Sequence, residues 1–164
     1  MSLPEFNAAP DDVAGAMLAA CCDVPTWVDA VRDGRPYADA AEALDLADKA
    51  ARSFTPDDVD RALAAHPRIG ERAAGSGTEA AWSRQEQSGV SRDEDTQTAL
   101  VEGNRAYEER FNRVFLICAS GLSGEQILAS LRDRLDNDEA IEIAVVADEL
   151  RKIALLRLER LLDS

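Results

Sequence analysis

The chain contains one histidine, His66, in the stretch AAHPRIGERAAG at residues 64–75. An imidazole titrates near neutral pH, so it can work as a general acid or base. A residue before a proline is pushed away from helical conformation, so Pro67 should end a helix and leave the imidazole beside a glycine-rich loop. The alternative is a histidine that only caps a helix C-terminus, where a cation is favoured.

A second polar group follows about twenty residues later, in WSRQEQSG at residues 82–89. Helical spacing of i, i+3 and i+4 places Ser83, Glu86 and Gln87 on one side. A hydroxyl, a carboxylate and an amide together suit a polar ligand rich in N–H and C=O groups. A solvent-exposed helix surface is the alternative, and this segment alone leaves both open.

The last helical pattern places an arginine among apolar residues. The residues that share this side are Val146, Leu150, Ile153, Arg157 and Leu161. Because burying an unpaired guanidinium is costly, Arg157 should face a carboxylate or an anionic ligand. A structural ion pair, or a side chain that extends its charged end to solvent, would also explain the pattern.

Glycines and serines precede a further helical pattern in ICASGLSGEQ at residues 117–126. Backbone N–H groups exposed there could bind carboxylate or carbonyl oxygens, although an ordinary turn between helices is the simpler interpretation. Metal binding is not expected, because the chain has a single histidine and its cysteines lack ligand spacing.

The bulk properties narrow the class of protein. Formal net charge is −14, which argues against general binding to nucleic acid or an anionic membrane. Three cysteines, Cys21, Cys22 and Cys118, do not make a disulfide framework and are expected to be small buried residues in a reducing compartment. The N-terminus is polar and no apolar run approaches the roughly 20 residues of a membrane span, so we expect a cytoplasmic protein.

Helical periodicity dominates the chain, and aromatic residues make up only 5% of it. We therefore predict an all-α, single-domain bundle of about eight helices over residues 1–164. The predicted helix caps are Asp11, Thr55, Ser91, Ser123 and Asn137. Pro36 should begin one helix, another should run from about Thr78 to Ser88, and VFLIC at 114–118 should be the buried end of a long helix.

Several of these segments together resemble one family. HPRIG, SRQEQSGV, YEERFNRVFLICASGLSGEQILASLRDRLDN and ELRKIALLRLERLL follow in this order, after CCDVPTWVDAVRDGRPYADAAEAL near the N-terminus. This order resembles the 2-oxo-4-hydroxy-4-carboxy-5-ureidoimidazoline (OHCU) decarboxylases of the urate-to-allantoin pathway. The resemblance covers nearly the whole chain, and HP-x-(I/L)-G followed by Ser-x-x-Glu-Gln is its specific part.

The resemblance implies an all-helical, commonly homodimeric enzyme that needs no cofactor or metal and forms (S)-allantoin from a small anionic ureidoimidazoline. Its catalytic residues would be His66, Glu86 and Arg157. Its other substrate contacts would fall on Pro67, Ser83, Arg84, Gln85, Gln87, Ile117, Cys118, Ala119, Ser120 and Gly121.

Two functions of other classes remain open at this point. The acidic surface could make the chain a non-catalytic helical module that binds a basic partner protein. Cys118 could be the nucleophile of a thiol-dependent enzyme, although this would need a low-pKa thiolate beside a base, and the chain lacks a Cys-x-x-Cys pair.

Overall fold

The computed structural model describes residues 1–66, 68–69, 78–88 and 94–163. Within these ranges the chain forms nine α-helices and no β-strand, which confirms the all-α prediction. In chain order the helices are α1 (Leu3–Ala8), α2 (Asp11–Cys21), α3 (Pro25–Asp33), α4 (Ala40–Ala51), α5 (Pro56–Leu63), α6 (Thr78–Glu86), α7 (Glu94–Phe111), α8 (Gly124–Arg134) and α9 (Glu139–Asp163).

The contacts between Cα atoms divide the chain into two compact units. The first unit comprises Met1–Ala62 and Leu150–Ser164, and the second comprises Leu63–Glu149. A single domain over residues 1–164 therefore stays a prediction, and each unit is described by itself.

In the first unit, α3 packs against both α2 and α4. The largest buried side chain is that of Trp27, whose indole Nε1 donates to the carbonyl oxygen of Ala47 at 3.0 Å. Alanines at positions 43, 47 and 51 are buried along α4, and these small side chains allow the helices to approach closely. The phenol of Tyr37 donates to the carbonyl oxygen of Val31, which satisfies a buried polar group.

In the second unit, α7 packs on α8 around an apolar cluster. Aromatic rings form its centre: Tyr107 lies 4.7 Å from Phe111 and 5.2 Å from Phe115, measured between ring centroids. The buried members of the cluster are Ile69, Leu100, Tyr107, Phe111, Phe115, Ile117, Ala119, Ile127 and Leu131.

Two predicted caps are confirmed. The Thr55 hydroxyl accepts from the backbone N of Asp58 at 3.1 Å, and Ser123 forms a reciprocal capping box with Gln126. Ser91 lies outside the described residues.

Other predicted helix starts are wrong by one to four residues. Pro10, not Asp11, takes the cap position of α2. For α4 it is Asp39 that caps, accepting from the N of Glu42 at 2.8 Å, so this helix begins well after Pro36. Helix α9 is capped by Asp138 and not by Asn137. The Asp138 carboxylate accepts from the backbone N of Ile141, in the first turn, at 2.8 Å.

The prediction of a long helix through VFLIC is also wrong. Helix α7 ends at Phe111, and Asn112 follows with a φ of 56°, a left-handed conformation that asparagine tolerates better than most residues. Residues 114–119 are not helical. Among the described helices none is both long and apolar enough to cross a membrane.

Candidate functional site

His66 lies just beyond the end of α5, in the second unit. Helix α5 ends at Leu63, and the backbone N of His66 donates to the carbonyl oxygen of Leu63 at 3.0 Å. The side chain of His66 is half-buried. The helix ends at Leu63, three residues earlier than the end that Pro67 predicted, and Pro67 itself lies outside the described residues.

Helix α7 holds the chain immediately after His66. The Arg68 guanidinium contacts the carboxylate of Glu108, with Nε to Oε1 at 2.5 Å. One turn earlier, Asn104 donates from Nδ2 to the carbonyl oxygen of Ile69 at 2.9 Å. The side chain of Ile69 is buried in the apolar cluster of the second unit.

The segment around Glu86 is not an ordinary solvated helix surface. Ser83 and Glu86 are only 4% and 6% exposed, which confirms that helical spacing brings them to one buried side of α6. Arg84 and Gln87 are half-buried, whereas Gln85 is exposed. Since ionisable side chains are rarely buried without partners, a buried carboxylate here indicates a specific polar environment.

The stretch from Ile117 to Gly121 turns the chain between α7 and α8. The side chains of Ile117 and Ala119 are buried in the apolar cluster. The backbone N of Leu122 donates to the carbonyl oxygen of Ala119 at 3.0 Å. Gly121 has a φ of 80°, a conformation that side-chain-bearing residues rarely adopt. What this turn can offer a ligand is chiefly backbone N–H and C=O groups, together with the half-buried Cys118 and Ser120.

Charged residues that sequence reasoning missed hold this turn. The Arg134 guanidinium donates from Nη1 to the carbonyl oxygen of Leu116 at 2.7 Å. The backbone N of Cys118 donates to Oε1 of Glu149 at 3.2 Å. A signal was present: Glu142, Val146, Glu149 and Ile153 follow one another at helical spacing, so two carboxylates occupy the apolar side of α9.

Arg157 belongs to the first unit and is 1% exposed, which confirms that the apolar stripe of α9 buries a guanidinium. Its Nη1 lies 3.4 Å from the carbonyl oxygen of Ala20. The positive charge also acts on the Cys22 thiol. Burial raises the pKa of Cys22, the neighbouring Cys21 raises it further, and Arg157 opposes the shift.

The predicted site residues are thus divided between the units. The second unit contains His66, Ser83, Glu86 and the turn at residues 117–121, whereas Arg157 lies in the first unit. The second unit therefore contains a half-buried histidine, a buried carboxylate and a turn whose neighbouring backbone groups are held by charged side chains.

Comparison with known proteins adds an independent observation. A family model described as OHCU decarboxylase matches residues 7–159. A 2-oxo-4-hydroxy-4-carboxy-5-ureidoimidazoline decarboxylase of Haloferax volcanii is 27% identical over 160 residues, which are 96% of this chain and 94% of that protein. The uric acid degradation bifunctional protein TTL of Arabidopsis thaliana is 37% identical over 62 residues, and this chain covers only 19% of its length.

A solved structure shares the fold. A crystal structure of OHCU decarboxylase in the presence of (S)-allantoin aligns with a TM-score of 0.75 at 23% sequence identity. The alignment covers 95% of this chain and 100% of that one.

Proposed function

Because this chain belongs to the OHCU decarboxylase family, we propose that it removes CO₂ from 2-oxo-4-hydroxy-4-carboxy-5-ureidoimidazoline in urate degradation, forming (S)-allantoin. The observation that carries the proposal is the match of the OHCU decarboxylase family model to residues 7–159, and the buried Glu86 lies in the same compact unit as the one histidine of the chain. Buried carboxylates are uncommon outside specific polar sites.

The substrate supplies its own electron sink. One ring carbon carries both the carboxylate and a hydroxyl, and the adjacent ring carbon, which bears the ureido group, is part of a C=N bond. When the bond to CO₂ breaks, its electron pair forms a C=C bond and the C=N π-electrons move to nitrogen, which takes up a proton to give an enol. Proton delivery to the ureido-bearing carbon and loss of the hydroxyl proton then give the carbonyl of allantoin. No cofactor is required for this sequence.

His66 is the general acid/base in this proposal. It polarises the hydroxyl next to the departing CO₂ and delivers the proton to the ureido-bearing carbon, where the handedness of the product is set. A positioned proton transfer of this kind typically accelerates a reaction by about 10²–10⁴. Support comes from the half-buried position of His66 and from the contacts of α7 that hold residues 68 and 69.

Glu86 orients the substrate by accepting hydrogen bonds from its ring and ureido N–H groups. Ser83 and Gln87 extend the same side of α6 with a hydroxyl and an amide. The resemblance alone assigns substrate contacts to Arg84, to Gln85 and to Pro67, which lies outside the described residues. Support for the role of Glu86 is its burial beside Ser83, because a carboxylate shielded from water holds N–H donors more strongly.

The turn at residues 117–121 contributes backbone groups that clamp the ring, which fits the inward packing of Ile117 and Ala119. Arg157 is proposed to hold an anionic or carbonyl oxygen of the substrate. That role rests on the resemblance and on the burial of its guanidinium within the first unit.

The assembly and the compartment are further parts of the proposal. We take the functional form to be a homodimer in the cytoplasm. The dimer rests on the resemblance alone. The cytoplasmic assignment is supported by Cys21, Cys22 and Cys118, which are thiols rather than half-cystines.

The proposal is tested with OHCU generated freshly from urate. Purified protein should accelerate the loss of OHCU absorbance and the release of CO₂ well above the spontaneous rate. Heat-denatured protein serves as the control. Equal decay with native and denatured protein would reject the decarboxylase function.

A further inference from the structure

We propose that Glu149, together with the buried pair Arg134 and Glu142, positions the backbone of the substrate-binding turn. The inference rests on the proposed function, since it gives the turn at residues 117–121 a role in holding the substrate. It concerns residues to which the resemblance assigns no role, and all of them lie within the second unit.

The turn needs such support because it lacks regular secondary structure. Residues 114–119 are neither helical nor stranded, so their backbone groups must find other partners when buried. Two of these partners are charged side chains. Arg134 donates to the carbonyl oxygen of Leu116 at 2.7 Å, and Glu149 accepts from the N of Cys118 at 3.2 Å. The two bonds lie on either side of Ile117, the first residue of the turn.

Arg134 is itself held rigidly. Its Nε donates to Oε1 of Glu142 at 2.7 Å, and its guanidinium lies 4.5 Å from the centroid of the Phe115 ring. The phenol of Tyr107 donates to the same Glu142 oxygen at 2.6 Å, and Asn137 donates to the other oxygen at 3.0 Å. Because both charges are buried and well paired, the guanidinium has little freedom to leave Leu116.

Glu149 lies seven residues after Glu142, two helical turns along α9. Residues at this spacing face the same side of a helix, so one side of α9 supports both bonds, through Arg134 and directly through Glu149. Hydrogen bonds to charged groups are stronger than neutral ones. The turn is therefore anchored at two successive points, and its N–H and C=O groups keep a fixed direction before substrate arrives.

Loss of one anchor should weaken substrate binding more than chemistry. In Glu149→Met the side-chain volume is retained but the carboxylate that accepts from the N of Cys118 is removed. We expect KM for OHCU and Kd for (S)-allantoin each to rise about three- to tenfold, the change that one hydrogen bond supplies. The value of kcat should stay within about twofold, because His66 lies on a different segment.

The test compares full-length variants by steady-state kinetics with OHCU and by calorimetric titration with (S)-allantoin. Glu149→Gln keeps a carbonyl oxygen as acceptor and should restore both constants to within about twofold of wild type. Glu139→Met, at an exposed position of the same helix, is the matched control and should change neither constant. Amide hydrogen exchange at Cys118 should be faster in Glu149→Met than in Glu149→Gln.

Each outcome decides the inference. An inactive wild type would reject the proposed function itself. If the wild type is active, equal KM and Kd in Glu149→Met and wild type would overturn the positioning role, as would a loss confined to kcat. Should Glu149→Met fail to fold, Arg134→Lys provides the second variant. The lysine side chain is shorter and carries a single ammonium group, so it loses the hydrogen bond to the carbonyl oxygen of Leu116. An unchanged KM in Arg134→Lys would also overturn the inference.

Discussion

The side-chain Nδ2 of Asn104 donates a hydrogen bond at 2.9 Å to the backbone carbonyl oxygen of Ile69, which lies three residues after His66. Asn104 is 5% exposed, and the carbonyl that it satisfies belongs to a buried residue of the apolar cluster. This one bond ties α7 to the segment that carries the histidine, so it links the stability of the second unit to the geometry around His66.

The first prediction follows from this bond. Asn104→Ala should lower the free energy of unfolding by about 1–3 kcal/mol, because it leaves the buried carbonyl of Ile69 without its donor. Urea denaturation followed by circular dichroism measures the change. Thr98→Ala, at an exposed position of the same helix, is the control and should stay within about 0.5 kcal/mol of wild type. Equal midpoints for the two variants would contradict the prediction.

The second prediction concerns the carboxylate of Glu86. Glu86→Gln retains the shape of the side chain but removes its charge, so the N–H groups of the substrate lose a charge-assisted acceptor. We expect kcat/KM for OHCU to fall about 10- to 100-fold. Glu102→Gln makes the same change at an exposed position of α7 and should leave kcat/KM unaltered. If kcat/KM in Glu86→Gln stays as close to wild type as it does in Glu102→Gln, Glu86 does not hold the substrate.

The third prediction contrasts a buried ion pair with an exposed one. In Glu142→Gln the buried guanidinium of Arg134 loses its countercharge, which should cost about 3–5 kcal/mol of folding free energy. The pair between Arg113 and Glu139 spans 3.8 Å with the glutamate exposed, so Glu139→Gln should cost at most about 1 kcal/mol. Chemical denaturation of both variants gives the comparison, and similar losses would refute it.

The fourth prediction is a pH dependence in the first unit. A hydrogen bond from Arg151, at 2.6 Å, holds the pKa of Asp48 below its ordinary value, and a second from Arg52 adds to the shift. A lowered folded-state pKa means that the ionised carboxylate stabilises the fold above about pH 4 and that this contribution is lost as pH falls through the folded-state pKa. Asp48→Asn should therefore be less stable than wild type at pH 7, with the difference shrinking towards pH 3.

Thermal unfolding at pH 7, 5 and 3.5 measures this difference. Asp45→Asn, which removes a carboxylate from an exposed pair with Lys49 on the same helix, is the control for the loss of a negative charge and of a solvent-exposed ion pair. A difference between Asp48→Asn and wild type that stays constant, or grows as the pH falls, would contradict the assignment.

Local rules predicted much of the fold. Thr55 and Ser123 are confirmed as caps because a side-chain oxygen beside the first helical turn is a local signal. The burial of Arg157 was readable from the spacing of apolar residues along one helix. The same local logic failed at VFLIC, where a left-handed Asn112 ends the helix and tertiary burial, not helical periodicity, explains the apolar run.

The contacts that hold the turn at residues 117–121 could not be predicted from the sequence, because they form only in the tertiary structure. Arg134 and Glu149 sit in ordinary helical patterns, and only the packed structure brings them to backbone groups of Leu116 and Cys118. Asp138 rather than Asn137 caps α9, and the Asn137 amide donates instead to the buried Glu142, five residues later in the chain.

The central claim is that His66 delivers the proton that fixes the handedness of the product. The most direct measurement follows the circular dichroism of allantoin formed from fresh OHCU with wild type and with His66→Gln. Wild type should accelerate the reaction and give an excess of (S)-allantoin, whereas His66→Gln should lose about 10²–10⁴ of the acceleration and give racemic allantoin. If His66→Gln still accelerates the loss of CO₂ and still yields the (S) form, His66 is not the acid/base.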